Sequence, residues 1–284
     1  MEINQLIRIG VDRIKGRQYG NAVLEATLLL GKLMNVDKVH IYTHGKEQVP
    51  DEIVNKFLEA IEKRSKGYPI QYIIKEKEFM GLNFYIEEGV LIPRPDTEII
   101  VEYILEYIDK RHSQEQINIL DIGIGSGAIG LSIAYYKKNA HVCGVDISHK
   151  ALEVANINKD RFNLSNVKLI KSDLFEKISE EEKFHIIVSN PPYIPTEDME
   201  SLQEEVKNYE PRTALDGGKE GMDFYRRIIP ESRNYLKEEG LLIFEIGYHQ
   251  AKDVSHIMIE NGFKDIKILK DLQGLDRAVL GING

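Results

Sequence analysis

Apolar positions in the first part of the chain recur with a helical period. Ala22, Leu24, Leu28 and Leu29 mark one such segment. Ile53, Phe57 and Ile61 mark another, which opens on Asp51 and Glu52, acids suited to a helix start. No strand-like alternation interrupts them, so the spacing predicts a small helical domain over residues 1–68. From Ile70 to Pro95 the texture changes to Tyr72-Ile73-Ile74, Glu78-Phe79-Met80 and Phe84-Tyr85-Ile86, with Gly81 and Gly89 as turn residues. That pattern predicts a β-hairpin linker over residues 69–95. Asp96 then stands where it can cap a helix over Ile99, Ile100, Ile104 and Leu105.

Residues 96–284 read differently. Apolar strand-like runs at 117–122, 141–147, 167–171, 184–189 and 241–246 alternate with helical segments at 128–136, 150–161 and 251–260. Such alternation is the mark of an α/β domain built on a doubly wound, mainly parallel sheet. Two last runs, 263–270 and 276–282, are joined only by a short Gln273-Gly274 turn. A connection that short makes them antiparallel.

The most informative junction is Asn190-Pro191-Pro192-Tyr193, directly behind the run Phe184-His185-Ile186-Ile187-Val188-Ser189. A β-branched strand that stops at two prolines leaves Asn190 at its carboxyl end, the edge where open α/β sheets bind ligands. Each proline lacks an N–H and holds its predecessor extended, so Asn190 and Pro191 are stiff and their carbonyls are available as acceptors. Tyr193 adds a flat face with a polar tip. The tetrapeptide suits a planar NH2 group held by two acceptors and a ring, although Pro-Pro can also end a strand with no further role.

A second candidate is the strand Ile119-Leu120-Asp121-Ile122 running into Gly123-Ile124-Gly125-Ser126-Gly127. Glycines let a turn bend and let a ligand approach the backbone. The spacing is not the dinucleotide G-x-G-x-x-G, and Asp121 precedes it where a pyrophosphate would be repelled. S-adenosylmethionine carries an ammonium that such a carboxylate would attract. Asp146 ends the next strand and suits a ribose diol, since Ser148 is placed to cap the following helix. Asp173 follows the strand 167–171 and is placed to meet an adenine amino group, with Leu174 and Phe175 as apolar cover; a turn or cap role fits it nearly as well. Glycine turn, acid, acid and Asn190 thus fall at four successive strand ends.

Composition narrows the partners. The 284 residues carry 37 Lys+Arg against 46 Asp+Glu, a net charge of −9, which argues against unspecific nucleic-acid binding. One cysteine, Cys143, excludes an internal disulfide framework and suits a reducing compartment. No basic segment leads into an apolar core at the start, and no stretch is apolar enough to span a bilayer, so a cytoplasmic protein without a membrane partner is expected. His40 and His44 have i, i+4 spacing, but no further His or Cys clusters beside them, and no metal site is expected.

With these residues in place, the chain resembles the HemK/PrmC family of class I S-adenosylmethionine-dependent methyltransferases, which methylate a glutamine N5 in peptide chain release factors. The resemblance spans nearly the whole chain. It rests on Glu25-Ala26, Pro69-Ile70-Gln71-Tyr72, Val90-Leu91-Ile92-Pro93-Arg94-Pro95-Asp96-Thr97-Glu98, the tetrapeptide, Tyr209-Glu210-Pro211, Glu245-Ile246-Gly247 and Asp276-Arg277. It implies a Rossmann-like, mainly parallel sheet with an antiparallel final strand, a helical substrate-recognition domain, S-adenosylmethionine as donor and S-adenosylhomocysteine as product. It implies cofactor contacts from Gly123, Ile124, Gly125, Ser126, Gly127, Asp146 and Asn190, which Asp173 and Leu174 are expected to join at the adenine. Asn190, Pro191 and Tyr193 are expected to carry the chemistry, with Pro192 beside them at the substrate, the glutamine of a Gly-Gly-Gln motif; Arg94 suits the substrate or the methionine end of the cofactor, and an ion pair with Asp96 or Glu98 fits it nearly as well. The position after Asp173, often aromatic in the family, is Leu174 here. A monomer with no stable nucleic-acid partner is expected. The competing readings are a nucleic-acid exocyclic amino (adenine N6-type) methyltransferase, which would flip its base out, and a non-catalytic cofactor-binding module.

Overall fold

The computed structural model describes residues 1–16, 20–112 and 115–284. It divides into two compact units, Met1–Glu76 with Gln203–Tyr209, and Lys77–Leu202 with Glu210–Gly284.

The first unit is helical, with helices Ile3–Ile14, Ala22–Met34, Lys38–Thr43, Asp51–Ser65 and Ile70–Ile74. Local chemistry sets their starts: Asn21 and Asp37 accept the amides of Leu24 and His40, and Pro50 precedes the acidic pair Asp51 and Glu52. Leu6, Leu29, Leu30, Phe57 and Ile61 form the core and are almost fully buried. Gly10 lets the first helix approach closely, because a Cβ there would lie 2.8 Å from the Phe57 ring. Arg64 is buried among these helices, paired with both carboxylate oxygens of Glu25 at 2.7 and 2.8 Å and with Glu205 at 2.7 Å. Glu205 belongs to the helix Glu204–Tyr209, a segment drawn from far along the chain, and Tyr209 donates its hydroxyl to the Lys66 carbonyl.

Two local expectations fail. Tyr72-Ile73-Ile74, read as extended, lies in the helix Ile70–Ile74, because the Pro69 carbonyl accepts the amides of Tyr72 and Ile73 and Ile70 packs into the helical core. A run this short and apolar has no diagnostic period of its own. The hairpin proper is β1 (Glu76–Phe79) and β2 (Leu82–Tyr85), turning through Met80 and Gly81, both at positive φ. Asp96 does not cap the next helix, Glu98–Arg111. A 3-10 turn, Pro95–Thr97, leads into it, and Asp96 instead pairs with Arg277 at 3.2 Å.

The second unit is a seven-stranded sheet of β3 (Ile117–Ile122), β4 (Ala140–Asp146), β5 (Val167–Lys171), β6 (Phe184–Ser189), β7 (Leu236–Glu245), β8 (Phe263–Lys270) and β9 (Asp276–Asn283). Their order is β5-β4-β3-β6-β7-β9-β8, with β9 antiparallel to both neighbours and the other pairs parallel. Ile119, Leu120, Ile187, Leu242 and Phe244 are fully buried, as strands covered on both faces require. The chain winds outward from β3 through β4 to β5, then returns to place β6 on the other side of β3. That reversal is the switch point of a doubly wound sheet. Among the described residues, no helix is long and apolar enough to cross a membrane.

Candidate active site

The strand register brings the predicted residues to one edge. Ile122 of β3 aligns with Val145 of β4 and with Ser189 of β6, while Asp146 aligns with Lys171 of β5. The glycine turn, Asp146, Asp173 and Asn190 therefore leave adjacent strands on the same side. They line a cavity of about 540 Å3, whose wall also includes Asp121, Leu174, Pro191, Pro192 and Arg94.

On the β3–β4 side, the Val145 carbonyl accepts both the Gly123 and Ile124 amides at 2.9 Å. Gly127 ends the turn at φ 88°, where a Cβ would also collide with Leu131. Asp146 ties the two strand ends together: Oδ2 accepts the Gly125 amide at 2.9 Å and Oδ1 the Ser148 amide at 2.8 Å. Ser148 caps the helix His149–Arg161. Burial raises the Asp146 carboxyl, opposed by the Ser148, Gly125 and Ile147 amides. Asp121 is 1% exposed, accepts the Gly130 amide at 2.8 Å and is raised to about 7, chiefly by burial.

Toward β5, Asp173 pairs with Arg227 at 2.9 Å, and Leu174 sits at φ 47° on the cavity wall. Phe175 does not cover the cavity. Its ring is buried in the core, stacked on Tyr235 at 4.7 Å. Arg227 reaches the wall beside Asp173.

On the β6 side, Asn190 donates Nδ2 to Glu245 Oε2 at 2.9 Å. Among the described residues, neither Asn190 Oδ1 nor the Pro191 carbonyl accepts a hydrogen bond from the protein. Tyr193 is half-buried against the core, with its hydroxyl 3.3 Å from Glu245 Oε1 and its carbonyl held by Gln250 Nε2. Burial raises its pKa, and the neighbouring Glu245 adds to the shift. Arg94 pairs with Glu210, which also accepts the Ile92 amide. Neither Asp96 nor Glu98 is the partner of Arg94: Asp96 pairs with Arg277, and Glu98 accepts the Met80 amide. Glu245, the last residue of β7, thus joins the site through Asn190 and Tyr193. Its signal was a carboxylate at the end of the apolar run Leu241-Leu242-Ile243-Phe244. His40 and His44 stack on each other, and no group of metal-ligating side chains occurs among the described residues.

The switch-point sheet, the glycine turn and the acids at successive strand ends define a class I methyltransferase fold. Residues 97–207 match the family described as methyltransferase small domain, and residues 5–74 match the PrmC N-terminal domain. The release factor glutamine methyltransferase of Clostridium acetobutylicum is 44% identical over 92% of this chain and 91% of its own length. That of Clostridium botulinum is 43% identical over 98% of each. The chain belongs to the release factor glutamine methyltransferase family. Among solved structures, a methyltransferase from Pyrococcus furiosus shares the fold, with a TM-score of 0.53 and 22% identity over 72% of this chain and 90% of that one.

Proposed function

We propose that this chain methylates the side-chain amide nitrogen, N5, of a glutamine in peptide chain release factors, using S-adenosylmethionine. The observation that carries the reading is the pair of acceptors, Asn190 Oδ1 and the Pro191 carbonyl, on the wall of the cavity that also holds the glycine turn and Asp146.

The residues fit the cofactor. A pyrophosphate at the glycine turn would face two carboxylates, whereas an ammonium and a ribose diol find acceptors in Asp121 and Asp146. Asp146 Oδ2 accepts the Gly125 amide and Oδ1 the Ser148 amide, and a carboxylate, with about four acceptor sites, keeps room for a ribose hydroxyl. Asp173 and Leu174, on the same cavity wall, would meet the adenine end. When bound, S-adenosylmethionine supplies an electrophilic methyl group with a neutral leaving group.

The rest falls to the chain's own side chains. A glutamine amide is a weak nucleophile because its lone pair is delocalised into the carbonyl, so positioning does most of the work. Asn190 Oδ1 and the Pro191 carbonyl accept the two amide hydrogens and fix the nitrogen. Such near-attack geometry is worth roughly 7–11 kcal/mol against a free encounter. As positive charge builds on that nitrogen, both acceptors bind it more strongly, which favours the transition state over the ground state, and the methylated nitrogen then sheds one of its two hydrogens as a proton to water. Pro192 and Arg94 border the substrate side, Tyr193 supports the tetrapeptide, and the helical domain over residues 1–68 takes part in recognising the release factor. The reading takes the chain as a cytoplasmic monomer with no stable nucleic-acid partner, in keeping with its net charge of −9.

The test is methyl transfer to a release factor and, in parallel, to DNA and RNA, with Asn190→Ala as the control. Transfer to the glutamine that drops at least 100-fold in kcat in the variant is expected, the range seen when one preorganised hydrogen-bonding group is removed from an active site. Transfer to an adenine amine instead would replace the substrate, and near-normal kcat in Asn190→Ala would remove the acceptor role.

A further inference from the structure

Glu245 ends β7 with 1% of its surface exposed. Three side-chain donors from two other segments converge on it. Thr97 Oγ1 donates to Oε2 at 2.6 Å, Asn190 Nδ2 to the same oxygen at 2.9 Å, and the Tyr193 hydroxyl to Oε1 at 3.3 Å. Tyr225 meanwhile donates to the Glu245 backbone carbonyl at 2.7 Å. A buried carboxylate is costly, and an apolar residue would end this strand more cheaply. The carboxylate therefore calls for a reason beyond the strand.

The reason lies in the asymmetry of an amide. Asn190 has a donor end and an acceptor end, and an ionised carboxylate can only accept. Facing Glu245, Asn190 must turn its NH2 inward and its Oδ1 away. Were it reversed, its NH2 would meet the NH2 of the amide substrate, donor against donor. We propose that Glu245 is a positioning residue that acts through Asn190: its carboxylate fixes the Asn190 amide with Oδ1 toward the substrate and strengthens that oxygen as an acceptor. The strengthening follows because an amide that donates to an anion is polarised toward its own oxygen. This inference rests on the amide-methylation reading above.

The orientation holds only while Glu245 is ionised. Arg277 of β9 and Asp96 of the preceding turn act on it along with Tyr193 and Tyr225, and Arg94 acts on Tyr193. Arg277 pairs with Asp96 and Asp271, and its Nε is buried without a hydrogen-bond partner among the described residues. Burial raises the Glu245 pKa above the ordinary carboxyl range, while Thr97, Arg277 and Tyr193 pull it back. Once protonated, Glu245 can donate to Asn190 Oδ1 and turn the amide the wrong way.

The test compares Glu245→Gln, Asn190→Asp and the double variant, by kcat on a release factor at saturating donor. Thermal unfolding and S-adenosylhomocysteine binding serve as controls. Glu245→Gln should lower kcat about 10–100-fold, the range for outer partners that orient metal ligands, with little change in donor affinity. Asn190→Asp sets two carboxylates against each other, so Glu245→Gln should raise kcat in that background. Unchanged thermal unfolding and S-adenosylhomocysteine binding beside the fall in kcat separate positioning from a structural role. Equal losses in both backgrounds would overturn the proposal. If Glu245→Gln unfolds, Thr97→Val removes one donor to the carboxylate and should move the acid limb of kcat to higher pH; an unmoved limb overturns the proposal equally. A wild-type chain inactive on release factors would sink the function reading itself, whereas an active wild type with an unaffected Glu245→Gln sinks only this inference.

Discussion

If Asp121 receives the cofactor ammonium, as proposed above, cofactor binding should depend on pH. The Asp121 carboxyl lines the cavity, is 1% exposed and is held at about 7, against 3.8 for an ordinary aspartate. The folded-state value is the raised one, so its contribution to stability is complete below pH 3.8 and is lost as pH rises through 7. Over that interval the cofactor-free protein gives up as much as about 4 kcal/mol, at 1.36 kcal/mol per unit. A ligand ammonium reverses the balance, since it binds the ionised form and pulls the carboxyl pKa down. Below pH 7 each unit therefore weakens binding about tenfold, and between pH 7.5 and 5.5 the Kd for S-adenosylhomocysteine should rise about 25-fold.

The assay is calorimetric titration of S-adenosylhomocysteine, which carries the amine without turning over, in two buffers of different ionisation enthalpy. At pH 6 nearly one proton should be released per ligand bound. Asp121→Asn keeps an acceptor for the Gly130 amide but cannot ionise. It should bind weakly with no pH dependence over this range, and its cofactor-free form should gain stability on the wild type as pH rises from 4 to 7. A wild-type Kd that stays flat between pH 5.5 and 7.5, or an Asp121→Asn variant that binds like the wild type, would refute the ammonium assignment.

Two further outcomes test other parts of the molecule. Asp146→Ala should raise the Kd for S-adenosylmethionine tenfold or more, as expected for a lost charged hydrogen-bond pair; unchanged binding would move the ribose site elsewhere. Arg64→Met leaves the Glu25 carboxylate buried without its partner and should destabilise the helical unit by about 3–5 kcal/mol in urea unfolding. A variant as stable as the wild type at pH 7 would show that the buried pair is dispensable.

What the sequence made legible were features with a local cause. The strand at 184–189 stops at two prolines, the turn at Gly123 needs its glycines, and the β8–β9 connection is too short to be anything but antiparallel. Illegible were partnerships made only by folding. Thr97, Asn190 and Glu245 lie far apart in the chain and meet at one carboxylate, so no spacing announces them. The helix Glu204–Tyr209 is equally hidden: it is short and polar, and its place in the helical unit rests on Arg64 and the Lys66 carbonyl. Phe175 misled because adjacency to Asp173 says nothing about which way a ring turns, and Leu174 in the left-handed region sends the chain into the core. Tertiary partners of this kind still leave one trace, a charge where the pattern demands a hydrocarbon. Glu245 after Leu241-Leu242-Ile243-Phe244 is such a charge, as is Asp121 after Ile119-Leu120. A carboxylate that closes a core strand must find donors or a cation at the sheet edge, because leaving it unpaired there costs several kcal/mol. Glu245 meets that demand with Asn190 and Thr97, and Asp121 meets part of it with the Gly130 amide, which leaves its other oxygen for the cation that the pH dependence of binding would report.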